Sequence, residues 1–582
     1  MTLGKAERQF DILDENRRFC EKLVGENSIY SLLHRERDQL FPDEMFADLF
    51  ADRGRRSIPP SVVATVMVLE KFESCSDREA VERFTFDLRW KYAAGVEGFT
   101  EGFDHTVLVN MRARLRASAD PDRIFRVSKE VAADAGLIGV RRVLDSTPLY
   151  DAVATQDTVT LIRAAIRGLL RVADDELEAE IRRYLRRDDD YARAGKPSCD
   201  WDDAAAREEL IDALVRDGLE ALKELEGRSL TLEVRQAAEL LATVIGQDIE
   251  QTEDGTFRIA RRTAPDRVIS TVDPGARHGH KSSAHGFDGY NAHIAIDPDS
   301  EIITEAEVGA GNKGDGEMLP ALLPEFLPPA EAASPHGQTD DALETPPGAG
   351  EPGHEPATGS GPHDVSEPHD VLDAAQSSGD PARPGKPVSQ DASPPPIVYG
   401  DSAYGGGASL ALLAEVGATP MVKVQTPHAP GGRFGKDLFA IDLSAGTVTC
   451  PNAITVTMRP LNNGGAYASF GRACDDCPLR ARCTSAREGR AISISAHEAL
   501  LEEARLRQAD PNWKADYRAT RPKVERKFAH LMRGRHGGRR ARMRGKVKIS
   551  QDWKLLAAAA NFARLAVLGV TSGIGSWSTA AI

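Results

Sequence analysis

The sequence predicts an α/β protein in which a mixed-sheet core is combined with a helical N-terminal domain and several inserted segments. Apolar residues recur at helical spacing in residues 1–135 and again at about 155–265. Short runs rich in β-branched residues occur at 140–144, 293–296, 302–308, 397–399 and 420–424. The length of 582 residues exceeds one ordinary domain and suggests two to four units.

The N-terminal residues 1–135 are predicted to form short helices. Pro60 stands where a helix with apolar spacing begins, and Ser76 is a predicted N-cap. His105 and Thr106 open a third helix, which carries Arg112, Arg114 and Arg116. Short helices with an arginine-bearing last member indicate a DNA-binding domain, and a plain helical bundle is the alternative.

The rest of the chain divides at changes in composition. Residues 329–396 contain no aromatic residue and carry twelve acidic against two basic residues. Such a segment cannot bury enough apolar surface to offset its ordering entropy, so a disordered linker is predicted. The predicted core therefore has two parts, 136–328 with a helical insert at about 155–265, and 397–582 with a cysteine-rich β insert at 430–495.

Charge is distributed unevenly along the chain. The net charge of −16 argues against a protein that coats DNA along its whole length, yet residues 517–548 hold thirteen Lys/Arg and one acid, Glu525. The first residues form no apolar leader, and no run approaches eighteen apolar residues. We therefore expect a cytoplasmic protein without a membrane span.

Three acids are placed where they could act together. Asp145 and Asp401 each follow a β-type run, and Glu525 lies on a predicted helix, residues 516–531. An aspartate after a strand is ordinary turn chemistry, so each residue alone is weak evidence. Strand-Asp, strand-Asp and helix-acid in this chain order is the arrangement of an RNase H-like nuclease core. Its carboxylates hold two Mg²⁺ ions roughly 3.5–4 Å apart, with Mn²⁺ as a possible substitute, for in-line phosphodiester cleavage.

The surroundings of Glu525 indicate contact with phosphate groups. On a continuous helix, Arg521 and Arg518 would share its face, and a surface ion pair between Arg521 and Glu525 is the alternative interpretation. Flexible basic segments follow phosphate backbones without reading sequence. The candidate DNA-binding residues are Tyr517, Arg518, Arg521, Lys523, Arg526, Lys527 and Arg533.

Four cysteines form a second candidate site. Cys450, Cys474, Cys477 and Cys483 are spaced C-x23-C-x2-C-x5-C. A C-x2-C pair with two further cysteines is typical of a structural tetrahedral Zn²⁺ site, whereas unliganded buried thiols are the alternative.

Three segments resemble the DDE transposases of bacterial insertion sequences: 143–147 around Asp145, 399–405 around Asp401, and 517–528 around Glu525. The third keeps the family's Arg-to-Glu step at Arg521 and Glu525. Tyr517 stands one residue early, and Met532 occupies the usual lysine position beside Arg533. The resemblance implies binding to terminal inverted repeats and target DNA, 3′-end cleavage, strand transfer, a homodimer on DNA and a bacterial, nucleoid-associated enzyme.

Two other functions remain open at this point. A catalytically silent DNA-binding descendant of a transposase would keep the fold and lose the reaction. An RNase H-fold nuclease for repair or RNA would cleave without strand transfer.

Overall fold

The computed structural model describes residues 1–6, 15–150, 154–187, 191, 193, 196–282, 285–327, 394–533, 536–573 and 575–579. Residues 1–327 and 395–582 belong to one compact unit. The segment 329–396, predicted to be a disordered linker, lies outside the described residues except for its last three.

The N-terminal region is helical, as predicted. Its helices are α1 (Glu15–Leu23), α2 (Ile29–Leu40), α3 (Pro60–Phe72), α4 (Asp77–Phe86), α5 (Leu88–Ala94), α6 (Thr106–Ala117) and α7 (Arg123–Asp134). Proline opens α3, and the Ser76 side chain caps α4 in a reciprocal arrangement with Glu79, which satisfies backbone N–H groups at the helix start.

The arginines of α6 contact the protein itself. Arg112 is buried, and its guanidinium pairs with Glu70 and Asp77. Arg116 donates to the side-chain oxygen of Gln551 at 2.7 Å. These contacts tie α6 to the neighbouring helices α3 and α4 and to the C-terminal helix that contains Gln551.

The first core strand is followed by a helical insert. Strand β1 (Arg141–Tyr150) leads to α8 (Thr158–Val172), α9 (Asp175–Arg182), α10 (Ala204–Lys223), α11 (Leu232–Asp248) and the hairpin β2 (Ile249–Gln251) and β3 (Phe257–Ile259). The helices of the insert bury their apolar faces in a hydrophobic core of their own.

The core sheet is mixed, as predicted. It adds β4 (Arg277–Ser282), β5 (His285–Ile296), β6 (Ile303–Ala310), then α12 (Leu319–Leu322), β7 (Ile397–Gly400), α13 (Gly407–Glu415) and β8 (Thr419–Val422). The strand order is β4-β5-β1-β7-β8, and β6 also pairs with β5. Strand β5 is antiparallel to its neighbours, whereas β7 is parallel to both β1 and β8.

The cysteine-rich region forms small sheets around a separate apolar cluster. Its elements are β9 (Ala440–Asp442), β10 (Thr447–Thr449), β11 (Thr455–Thr457), β12 (Arg459–Pro460), β13 (Ala466–Ser469), α14 (Arg480–Cys483) and β14 (Ala491–Ile494). The chain ends with α15 (Glu498–Ala509), α16 (Pro511–Thr520), α17 (Pro522–Met532), α18 (Lys546–Val567), β15 (Val570–Ser572) and β16 (Trp577–Thr579).

Two predicted helices were wrong in their extent, and proline is the reason in both. The single helix expected at 516–531 is divided into α16 and α17 at Pro522, which lacks an N–H group for the helical ladder. The sequence also predicts one helix over residues 316–326. The structure has only α12 with flanking 3-10 turns there, because Pro320 and Pro324 interrupt the helical ladder.

The two faces of the sheet are covered by different helices. Val143 belongs to the large core that includes the N-terminal helices and α18, while Leu144 packs with α12 and α13 on the opposite face. This alternation is expected for a buried strand. None of the described helices has the length and apolar character needed to cross a lipid bilayer.

Candidate active site

Asp145 and Asp401 lie side by side on neighbouring parallel strands. Val143 of β1 pairs with Tyr399 of β7, and the same register continued by two residues brings Asp145 level with Asp401. Asp401 follows β7 directly, as predicted. Asp145 was expected after the end of its strand, but β1 continues to Tyr150 and Asp145 lies within it, opposite Ile294 of β5. Antiparallel pairing with β5 prolongs β1 beyond the end of β7.

One guanidinium group joins the three predicted acids. Arg521, between α16 and α17, contacts Asp145 Oδ1 at 2.9 Å, Asp401 Oδ2 at 3.9 Å and Glu525 Oε1 at 3.4 Å. The Arg521 side chain is 6% exposed, against 16% for Asp145, 45% for Asp401 and 64% for Glu525. The structure therefore brings the three acids together around a buried cation.

Hydrogen bonds between α16 and β7 hold Arg521 in this position. Tyr517 donates its hydroxyl to the carbonyl oxygen of Gly400 at 3.1 Å, immediately before Asp401. Tyr399 donates to Asp516 Oδ2 at 2.8 Å. The end of α16 is thus fixed to the strand that carries Asp401, and α17 begins at Pro522, directly after Arg521.

The electrostatics of the site are those of a partly desolvated acid cluster. Burial raises the pKa of Asp145 to about 6, although Arg521 acts in the opposite direction and favours the ionised form. Asp401 adds to the rise in the Asp145 pKa because two neighbouring carboxylates repel each other. Such a cluster favours a cation among its oxygens.

A fourth acid beside this cluster was missed by the sequence reasoning. Asp315 accepts a hydrogen bond from the Ser146 hydroxyl at 2.7 Å, and burial raises its pKa. His293 Nδ1 lies 3.9 Å from Asp315 Oδ1, and the fully buried Tyr404 hydroxyl has no hydrogen-bond partner among the described residues. The only sign of this contact in the sequence was a hydroxyl, that of Ser146, directly after Asp145. Nothing in the sequence around Asp315 indicated that it would lie near this site.

The acids line the end of a large cleft. The cleft has a volume of about 1180 Å³ and is lined by Asp145, Asp315, Asp401, Arg521 and Glu525. Its other wall includes the β4–β5 hairpin, which contributes Arg277, His278, His280 and Lys281. The basic side chains of this cleft can attract a polyanion, and its acids can hold metal cations beside that polyanion.

Three family models match the chain. The description "Transposase DDE domain" matches residues 449–566 and, in a second model, residues 254–334, and "Transposase domain (DUF772)" matches residues 18–114. The chain belongs to the insertion-sequence DDE transposases. Glu525 and the four cysteines fall within the matched ranges of this transposase, whereas Asp145 and Asp401 fall outside them. No curated protein and no solved structure matches the transposase.

The predicted DNA-binding residues of the transposase occupy different environments. Arg518, Arg526 and Arg533 are exposed, and Lys523 is partly exposed with its amine 3.8 Å from Asp299. Tyr517, Arg521 and Lys527 are buried. Tyr517 and Arg521 organise the acid cluster, and Lys527 lies two residues beyond Glu525, on the opposite side of α17. The seven residues are therefore not one continuous surface.

Two sets of side chains in the transposase carry the donor atoms that metal ions bind. Among the described residues, no three His, Cys, Asp or Glu side chains are arranged as a ready cation site. The three acids offer the hard oxygen donors that Mg²⁺ prefers, but they are arranged around the Arg521 guanidinium. The four cysteines are reduced and line one cavity of about 20 Å³, so the donor set fits Zn²⁺ in chemistry.

Proposed function

We propose that this transposase catalyses DNA transposition by metal-dependent phosphodiester cleavage and strand transfer, using an RNase H-like core. The observation that carries the proposal is the convergence of Asp145, Asp401 and Glu525 on one guanidinium at the end of the large cleft. The mixed sheet supports the RNase H-like interpretation, because the two aspartates lie level on adjacent parallel strands in its centre.

In this proposal the three acids hold Mg²⁺ ions, which Mn²⁺ can replace. When bound, such ions activate the attacking oxygen and stabilise the leaving 3′-oxygen. Asp145 is fixed by its strand, whereas Glu525 is mostly exposed and can turn about its side-chain bonds. Arg521 has to move away from the acids for a cation to take its place, and its guanidinium is then free to pair with a DNA phosphate.

The proposed partner is double-stranded DNA, both the terminal repeats of the element and its target. The basic wall of the cleft and the exposed members of the thirteen Lys/Arg in residues 517–548, such as Arg518 and Arg533, would provide sequence-independent affinity for phosphates. Two ends have to be cut together, so we propose a homodimer on DNA, in the cytoplasm and associated with the bacterial nucleoid.

A structural Zn²⁺ ion is proposed for the cysteine-rich region. Cys450, Cys474, Cys477 and Cys483 line the same cavity although 23 residues separate the first two. Burial raises the pKa of the Cys483 thiol, so its deprotonation would require a cation nearby. Bound zinc would hold the small sheets of this region together.

The test is cleavage and strand transfer on DNA that carries the ends flanking the gene. Asp145→Asn, Asp401→Asn and Glu525→Gln should each abolish Mg²⁺-dependent cleavage while DNA binding in a gel-shift assay is kept. Glu502→Gln, on the exposed side of α15, is the matched control and should cleave like the wild type. Retained cleavage in any of the three triad variants contradicts the proposal.

The position of Arg521 also favours a second candidate, a silent DNA-binding descendant in which the arginine permanently neutralises the acids. Such a protein would bind the ends and show no cleavage in Mg²⁺ or Mn²⁺. Cleavage of intact DNA together with no strand transfer from a pre-cut end would instead indicate an RNase H-fold nuclease.

A further inference from the structure

A second cavity lies on the side of α17 that faces away from the acid cluster. Its volume is about 510 Å³, and it lies where α17 and the last turns of α18 meet the N-terminal helices. Glu525 and Lys527 are about 200° apart around α17, so Glu525 faces the cleft while Lys527 lines this cavity. We call it the α17–α18 pocket; it has no role in the proposed reaction.

The α17–α18 pocket is strongly cationic. Arg526, Lys527, Arg533 and Arg564 line it together with one carboxylate, Glu301. Glu301 lies 3.2 Å from Arg526 and thus compensates one of these charges. Arg564 donates to the carbonyl oxygen of Ser300 at 2.7 Å, which holds the guanidinium without neutralising it. The pocket therefore keeps a positive excess.

The burial of the Lys527 amine is the feature of this pocket that the fold itself does not explain. Residue Lys527 is 6% exposed, and burial lowers the pKa of its amine to about 8. Among the described residues the amine has no ion pair within 4 Å, and the carboxylate of Glu301 favours its charged form only from a longer distance. A buried amine without a partner is unfavourable, because the charged form loses hydration without compensation. An anion in the pocket would provide that compensation.

The start of α2 gives the pocket a second feature that favours anions. Asn27, Ser28, Ile29 and Tyr30 line the pocket, and α2 begins at Ile29 with Ser28 as its N-cap. The positive end of this twelve-residue helix thus faces the same cavity as Lys527. Backbone N–H groups and the helix dipole at such an end favour phosphate and similar oxyanions.

The other wall of the pocket is apolar. Phe72, Ala560, Ala563 and Val567 contribute to it, and the volume exceeds that of a single phosphate group. A cationic wall facing an apolar wall suits an anionic head with an organic body attached. This combination distinguishes a phosphate ester from an inorganic ion.

We propose that the α17–α18 pocket binds a phosphate group, carried by a nucleotide or by the DNA backbone, with Lys527, Arg526 and the start of α2 as its ligands. Because the pocket contacts α2, α17 and α18, a bound phosphate would link the N-terminal helices to the helix that carries Glu525. The proposal does not depend on cleavage, so triad variants should bind phosphate as the wild type does.

The test uses the full-length chain and inorganic phosphate as the probe. At constant ionic strength, phosphate should raise the thermal unfolding midpoint in a saturable manner. Lys527→Met, which keeps the length and apolar stem of the side chain, should weaken phosphate binding about tenfold or more, since a charge-assisted contact is lost. Lys527→Arg should retain binding, and Lys223→Met, at a lysine 68% exposed on α10, should match the wild type.

A second measurement distinguishes the two sources of phosphate. If the pocket binds a DNA phosphodiester, Lys527→Met should reduce the slope of log affinity for duplex DNA against log salt concentration by about one, which corresponds to one released counterion fewer. If it takes a free phosphate ester, the salt dependence stays unchanged while the phosphate-induced midpoint shift disappears. Should Lys527→Met fail to fold, Arg526→Gln at the exposed rim replaces it. The proposal is overturned if the pocket variant alters neither measurement.

Discussion

Replacing Arg521 by glutamine should destabilise the protein strongly in the absence of divalent cations. Arg521 and Asp145 form a buried pair at 2.9 Å, and removing one partner of such a pair typically costs about 3–5 kcal/mol. The contacts with Asp401 and Glu525 involve more exposed carboxylates, so each adds well under about 1 kcal/mol. Because Asp145 keeps some access to water, we expect a loss near the lower end, about 3 kcal/mol.

The assay is urea-induced unfolding at pH 7.5, with EDTA and then with MgCl₂. Arg521→Gln leaves the acids without their cation, so Mg²⁺ should stabilise the variant more than the wild type, in which the guanidinium competes for the same oxygens. Arg518→Gln is the matched control, because Arg518 lies on α16 and is exposed. Its unfolding should change by less than about 0.5 kcal/mol.

Two results would refute this reasoning. An Arg521→Gln variant that unfolds like the wild type in EDTA would mean that the arginine does not compensate the acids. An equal response of variant and wild type to Mg²⁺ would mean that the cation binds elsewhere.

Three further predictions concern the surroundings of the site. Burial lowers the pKa of His293 to about 4, so the unfolded chain binds its proton first as the pH falls, and stability is lost between about pH 6.5 and 4. The free energy of unfolding of His293→Leu should therefore fall by up to about 3 kcal/mol less than that of the wild type across this pH range. Identical pH profiles of the variant and the wild type would contradict the prediction. Asn561 is fully buried; its side chain accepts a hydrogen bond from the N–H of Ile303 and donates one to the carbonyl oxygen of Ile303. Asn561→Ala should therefore lower the free energy of unfolding in urea by about 3 kcal/mol, and a loss below about 0.5 kcal/mol would contradict this role. Elemental analysis of the wild type should find one Zn²⁺ ion per chain, and Cys477→Ser should contain none. A wild-type protein that is purified in the presence of zinc and contains no zinc would exclude the site.

The sequence allowed the main elements of the fold to be predicted where local chemistry decides them. Ser76 and Pro60 mark helix starts through capping and a fixed φ angle, and the structure places helix starts there. The division at Pro522 could have been foreseen on the same grounds, since proline cannot donate to the helical ladder. The extent of β1 could not, because pairing with β5, which is distant in sequence, carries the strand beyond Asp145.

The candidate site shows the same limit. Asp145, Asp401 and Glu525 could be proposed from the sequence because each belongs to a recognisable local segment. Asp315 was missed because its proximity to Ser146 arises only when the chain returns from β6 to the sheet. The side of α17 on which Lys527 lies could likewise not be predicted, since the run of cations does not show how the helix packs in the fold.

The central claim is that Asp145, Asp401 and Glu525 share one divalent-cation centre. The most direct measurement replaces Mg²⁺ by Fe²⁺ and maps where hydroxyl radicals generated at the bound iron cut the polypeptide. We expect cuts near all three residues, all suppressed by excess Mg²⁺ and lost in Asp145→Asn. Cuts near one residue alone, or cuts that persist in Asp145→Asn, would contradict a shared centre.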